Sequence, residues 1–216
     1  MLAASGIREI TLLGQNVNSF NFIDDNASGK PFDQSEHSRD FSALFKGKSG
    51  RRFTSLLDEL SVKFPRIRWR FTSPHPRDFP DDLIELIAAR ANIAKHVHLP
   101  LQSGSNAVLE RMRRGYTREA YLNLVDLIRA RIPGVAISTD VIAGFCGEAE
   151  DDHKDTLDIF ARVKYDMAYM YSYSMREKTA AYRRYEDDVP AEVKQRRLSE
   201  IISTFKANNP IRLDSY

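Results

Sequence analysis

Val135-Ala136-Ile137-Ser138-Thr139-Asp140-Val141-Ile142-Ala143-Gly144-Phe145-Cys146-Gly147-Glu148 is the stretch that decides how this sequence folds. Residues 135–143 are almost continuously apolar or β-branched, as in a buried strand, and the run stops at Gly144. Gly144 and Gly147 bracket a turn, after which Leu157 and Phe160 recur at helical spacing. Strand, polar turn and helix form the repeating unit of a parallel sheet, because parallel neighbours need a crossover between them.

The same unit recurs on either side. Towards the N-terminus, Glu9-Ile10-Thr11-Leu12-Leu13 reads as a buried strand ending at Gly14, and Leu56, Leu57 and Leu60 predict a helix that stops before Pro65. Ile67-Arg68-Trp69-Arg70-Phe71 is a second strand, followed by Ser73-Pro74-His75-Pro76. Pro80-Asp81-Asp82 then opens a helix through Leu83, Ile84, Leu86 and Ile87. His96-Val97-His98-Leu99 is a third strand, with two helices after it; the second starts at Thr117 and is closed by Pro133-Gly134. Beyond the opening stretch, residues 167–173 form a fifth strand. A helix after Pro190 carries Val193, Leu198, Ile201, Ile202 and Phe205 on one face. Five such units predict an α/β fold, either an open doubly wound sheet or a curved partial or full barrel. In both, ligands bind at the carboxyl ends of the strands.

A chain of 216 residues with 42% hydrophobic content fits one domain over residues 1–216, interrupted by a polar loop insertion at about 19–52. The net charge of +2 neither argues for nor excludes a nucleic-acid partner, so a basic footprint has to be local. No apolar run approaches the roughly 20 residues that span a bilayer, so no membrane partner is expected. A single cysteine, Cys146, rules out an internal disulfide.

Polar, small residues gather at the predicted strand ends: Gly14-Gln15-Asn16, Ser73-Pro74-His75, Gln102-Ser103-Gly104-Ser105, Gly144 to Glu148, and Tyr173-Ser174-Met175-Arg176. They let backbone approach a ligand and offer neutral hydrogen bonds, although each set taken alone also reads as a cap for the next helix. His96 and His98 alternate on one strand, but no third ligand stands at a recognisable spacing, so no metal site is expected. Cys146 reads as a packed thiol. Tyr169, Tyr171 and Tyr173 have the period of a strand with one half-buried face. Arg111-Met112-Arg113-Arg114-Gly115-Tyr116 and Tyr182-Arg183-Arg184-Tyr185 are two separate basic spots that suit phosphates, or equally a solvated helix end.

In order along the chain, Ile10-Thr11-Leu12-Leu13-Gly14-Gln15-Asn16-Val17-Asn18, Arg70-Phe71-Thr72-Ser73-Pro74-His75-Pro76, His98-Leu99-Pro100-Leu101-Gln102-Ser103-Gly104-Ser105, residues 138–148 and Tyr173-Ser174-Met175-Arg176-Glu177-Lys178-Thr179 resemble the radical-S-adenosylmethionine tRNA methylthiotransferases. With its long stretch after Asn18, the chain is similar to their animal mitochondrial branch, the one associated with a cyclin-dependent-kinase regulatory subunit. The resemblance implies a partial (β/α) barrel of the radical-SAM type, with about five of six parallel strands present. It implies S-adenosylmethionine and four-iron four-sulfur clusters as cofactors, tRNA as partner, and a methylthio group added to isopentenyl-adenosine beside the anticodon. A mitochondrial location goes with it, the cytoplasm being the alternative.

Carried over by motif, Gln15 and Asn16 fall near the methionine part of the cofactor. Gln102, Ser103 and Ser105 fall on its ribose side, and Gly144 and Glu148 beside its adenine. No catalytic residue is assigned. The family's cluster loop of three cysteines has no counterpart among these residues, and clusters of this kind require thiolates. The chain is therefore expected to be a truncated piece of a longer enzyme, inactive alone. Two other readings compete: a non-catalytic scaffold that binds a protein, such as a kinase regulator, and a cluster-independent methyltransferase. The second lacks a glycine-rich first-strand loop with an acidic ribose residue downstream.

Overall fold

A computed structural model of the chain describes residues 5–22 and 51–209. By contact, the chain divides into two compact units, one of Met1–Leu99 with Asn123–Ala136, the other of Pro100–Leu122 with Ile137–Tyr216.

In the first unit, β1 (Glu9–Leu12) pairs in parallel with β4 (Arg68–Phe71), Ile10 opposite Trp69. Between them, β2 (Asn21–Phe22) and β3 (Arg51–Arg52) form a short antiparallel pair, and α1 (Phe53–Lys63) follows directly. The polar insertion expected at about 19–52 is thus tied at its two ends, while residues 23–50 lie outside the described residues. The buried first strand is a correction: Glu9 and Thr11 of β1 are exposed and Leu13 is 76% exposed. Its outer face carries charge instead, with Glu9 3.0 Å from Arg70. β4 has the buried alternation that β1 lacks, because Trp69 and Phe71 turn into a core made with Phe53, Leu57 and Phe79. Phe53 meets Phe71 edge-on at 5.3 Å, a geometry worth about 1 kcal/mol beyond the area it buries.

α2 (Asp81–Ala89) starts where the sequence predicted, with Pro80 as its N-cap and two aspartates in the first turn against the helix dipole. Its C-terminus is closed by Lys95, whose ammonium donates to the carbonyls of Ala88 (2.9 Å), Arg90 (3.1 Å) and Ile87. Burial pulls the Lys95 pKa down. β5 (His96–His98) completes the strands of this unit.

The second unit is built on β6 (Ala136–Ala143) and β7 (Met167–Ser172), parallel with Asp140 opposite Tyr169. Residue 102 continues alongside β6: its amide donates to Asp140 O, and its carbonyl accepts from Ile142 N. α3 (Asn106–Arg111) is capped by Ser105, whose hydroxyl accepts from Val108 N. α4 (Arg118–Arg131) follows, its first residues in this unit and those from Asn123 in the other. α5 (Glu150–Val163) opens with Glu150, Asp151 and Asp152; Asp152 reaches back to the Ala149 amide at 2.8 Å. α6 (Ala180–Arg184) was not legible in the sequence pattern.

α7 (Ala191–Asn208) packs on α5 and β7. The apolar face expected for it is only partly what is buried. Ile201 is fully covered, whereas Val193, Leu198, Ile202 and Phe205 are half-buried, and Lys194 and Arg197 lie beneath the surface instead. A helix that buries two cations must bring them to acids.

Candidate functional site

In the first unit, the strand-end loops after β1 and β4 are stitched together by amides. Asn18 donates through Nδ2 to His75 O at 3.1 Å and accepts from His75 N at 2.8 Å. Asn16, in the left-handed region at φ 58°, donates to the buried Asp78 carboxylate at 2.6 Å, while its Oδ1 is shielded from solvent with no partner among the described residues. An orphaned acceptor costs about 1–3 kcal/mol unless a ligand donor reaches it. Gln15 is exposed. Asp78, which no motif singled out, anchors this arrangement.

In the second unit, the residues singled out fall into two groups. Ser103, Ser105, Gly144 and Glu148 are buried and occupied by internal partners. Ser103 Oγ accepts from Ser105 N at 3.3 Å, and Ser105 caps α3 and hydrogen-bonds to Asp152. Gly104 packs so closely on α5 that an added Cβ would stand 2.5 Å from Asp155 O and Thr156 Cα. Glu148 accepts from Gly144 N at 2.9 Å and forms a buried ion pair with Arg197 at 3.0 Å. Burial pushes the Glu148 carboxyl up, and the Gly144 amide and Arg197 pull against it. Gly144, at φ 75°, lies under the Lys194 side chain, which a Cβ would strike. Cys146 is buried, its thiol pushed up chiefly by desolvation, so the thiolate is disfavoured.

Gln102 stands apart, because it lines open space. With φ 66° it turns the chain at the end of its run beside β6, at the edge of a cavity of about 210 Å³. Its lining is apolar at Ile142, Phe145, Met112 and Tyr185 and cationic at Arg111, Arg113, Arg114 and Arg184. The two basic motifs that looked separate in sequence therefore meet at one place. Met112 of the first motif and Tyr185 of the second both pack on the buried cluster of Val108, Phe145 and Cys146, where Phe145 meets Tyr185 edge-on at 6.1 Å. Arg111 is held by Gly147 O at 2.8 Å and by Asp152 at 3.6 Å. The Nε–H groups of Arg111 and Arg114 are shielded from water with no acceptor among the described residues. Burial raises the pKa of neighbouring Tyr116 to about 12 against the pull of Arg114, so its hydroxyl stays protonated and bonds Pro100 and Leu101 carbonyls at 3.0 Å each.

Two unsatisfied guanidinium donors beside Gln102 fit a ligand that brings acceptor oxygens, such as a carboxylate or ribose hydroxyls. The cavity is smaller than the roughly 300 Å³ of a pocket that encloses a drug-sized molecule, so it takes one end of a ligand. Among the described residues no group of three or more His, Cys, Asp and Glu could hold a metal ion. With one cysteine in the sequence, this chain does not fit an iron–sulfur cluster held by three thiolates. No helix of the described residues is long and apolar enough to cross a membrane.

Residues 2–160 match the radical SAM superfamily. A Homo sapiens protein named mitochondrial tRNA methylthiotransferase CDK5RAP1 is 53% identical over 95% of this chain and 34% of its own length. A Chlorobium limicola protein named tRNA-2-methylthio-N(6)-dimethylallyladenosine synthase is 47% identical over 93% of this chain and 40% of its own. Among solved structures, coproporphyrinogen III oxidase from Escherichia coli, described as a radical SAM enzyme, superposes with a TM-score of 0.56 at 19% identity, covering 72% of this chain and 37% of the other. That likeness is one of fold, and it agrees with the α/β, radical-SAM class read from the sequence. The chain spans between about a third and two fifths of the curated relatives' length.

Proposed function

Because this chain belongs to the radical SAM superfamily, we propose that it supplies the S-adenosylmethionine-binding part of an enzyme that adds a methylthio group to an adenosine of tRNA. The observation that carries the reading is the extent of identity to relatives named for that reaction, which runs through both compact units. The geometry agrees with it where Gln102 and two acceptor-seeking guanidinium groups line one cavity at the strand ends. In this reading the isopentenylated base is the substrate and the mitochondrion the location, as the relatives' names suggest.

S-adenosylmethionine, together with a reducing cluster, supplies the radical and methyl chemistry of such enzymes. What this chain's own residues do is bind and orient. Gln102 and Arg114 give fixed hydrogen-bond donors to the polar end of the cofactor. Ile142 and Phe145 give that end an apolar lining. Gly144 and Glu148 act on the shape of the site, since their own hydrogen bonds are made within the protein. The cluster has to be ligated by residues other than those of this chain.

Equilibrium dialysis of the chain with S-adenosylmethionine tests the reading. Saturable binding is expected, weakened about tenfold by Arg114→Ala, the cost of one charge-assisted hydrogen bond. Absence of saturable binding, or indifference to Arg114→Ala, contradicts it.

A further inference from the structure

The sequence reading left the tyrosines of β7 as the half-buried face of a strand, but they stand on its exposed side. Met167, Tyr169 and Tyr171 are 50%, 47% and 55% exposed, while Ala168 and Met170 between them are partly covered. Two residues beyond Tyr171, Tyr173 packs against Phe145, which lines the arginine-rich cavity. The stripe therefore leads to that cavity. On its rim stand Arg113 and Arg184, both exposed, with exposed Arg183 and the 51% exposed ring of Tyr182 beside them on α6. These three arginines form no ion pair with an acid among the described residues. Two acids that follow α6 are committed elsewhere: Asp187 to Lys194, and Asp188 to the Gly147 amide at 2.6 Å. Cations left unpaired next to a row of solvent-facing aromatic rings are a costly arrangement for a surface with no partner, since exposed large apolar groups in a row favour association.

We propose that this surface holds single-stranded RNA, with unstacked bases on Tyr169 and Tyr171 and backbone phosphates on Arg113, Arg183 and Arg184. Aromatic rings give sequence-tolerant stacking to bases, and the arginines give the electrostatic term that phosphates require. A paired duplex fits less well, because its bases are not free to stack on side chains. The inference deepens the reading of the chain as part of a tRNA-modifying enzyme; it adds Arg183, Tyr169 and Tyr171 to the cavity's rim arginines Arg113 and Arg184.

The test is fluorescence anisotropy of the full 216-residue chain with a labelled RNA hairpin carrying an unpaired loop, a blunt RNA duplex of equal length, and an acidic poly-glutamate peptide. The hairpin is expected to bind tightest. Arg113→Ala/Arg184→Ala should weaken it at least about tenfold and lower the slope of log affinity against log salt by roughly 1.4. Tyr171→Ala should weaken it at least about fivefold with the slope unchanged. Circular dichroism of each variant shows that folding is kept, since all three side chains are exposed. Equal binding of hairpin and duplex, tighter binding of the peptide, or an affinity that the arginine variant leaves unchanged overturns the inference. Hairpin binding that follows these expectations in a preparation that fails to bind S-adenosylmethionine sustains the inference and sinks the cofactor reading; the reverse pattern does the opposite.

Discussion

Arg197 shows what a single residue does here. It is 5% exposed and donates to the Glu148 carboxylate at 3.0 Å, to Glu148 O at 2.8 Å and to Glu150 at 3.1 Å. Removing it leaves a carboxylate buried and unpaired, which costs about 3–5 kcal/mol. Arg197→Ala should therefore lower the urea midpoint sharply, while Arg197→Met with Glu148→Leu recovers most of the loss. A single variant within about 1 kcal/mol of the parent would show that the pair is not buried as described. His153 supplies a pH dependence. It is 1% exposed, bonded through Nε2 to Glu200 at 2.6 Å, and its pKa is lowered, chiefly by burial. With the folded value below the unfolded one, the unfolded chain takes up the proton first as pH falls. Stability is thus fully present above about pH 6.5 and is lost below it. Melting temperature should fall between about pH 7 and pH 5, and His153→Gln should flatten that fall. An unchanged slope in the variant assigns the effect elsewhere. Neither Arg197 nor His153 could be read as buried from sequence, because helical periodicity marks apolar faces and is silent about ion pairs inside them.

At the scale of elements, the alternation of strand, turn and helix was legible because each signal is local. Pro80 with two aspartates gave the start of α2, Pro65 the end of α1, and the apolar run the whole of β6. Boundaries moved by a residue or two, as hydrogen bonding at frayed ends decides them. Exposure of β1 was not legible, since Ile10, Leu12 and Leu13 look the same in a central strand and in one with a charged outer face. The meeting of residues 111–114 with 180–185 was invisible for another reason: it depends on Met112 and Tyr185 packing on the same buried cluster around Phe145. Gly104 tests the packing of these elements. A methyl there meets α5 backbone that cannot rotate away, so Gly104→Ala should cost about 3 kcal/mol, the upper range for overpacking. A thermal melt that barely moves would mean that the loop and α5 stand further apart.

For the whole molecule, the family match over residues 2–160 stops short of α7, although α7 holds the Gly144–Glu148 turn through Lys194 and Arg197. The packing that holds this turn thus extends beyond the matched region. The chain corresponds to about a third of the human relative and carries one cysteine, so under the proposed function the cluster ligands would have to come from elsewhere. The most direct measurement puts the chain in place of the matching segment of that relative, in cells lacking the enzyme. Digested tRNA is then analysed by mass spectrometry for methylthio-adenosine. The chimera is expected to restore the modified nucleoside, and to lose it on Arg114→Ala. A soluble chimera that leaves the tRNA unmodified contradicts the proposed function.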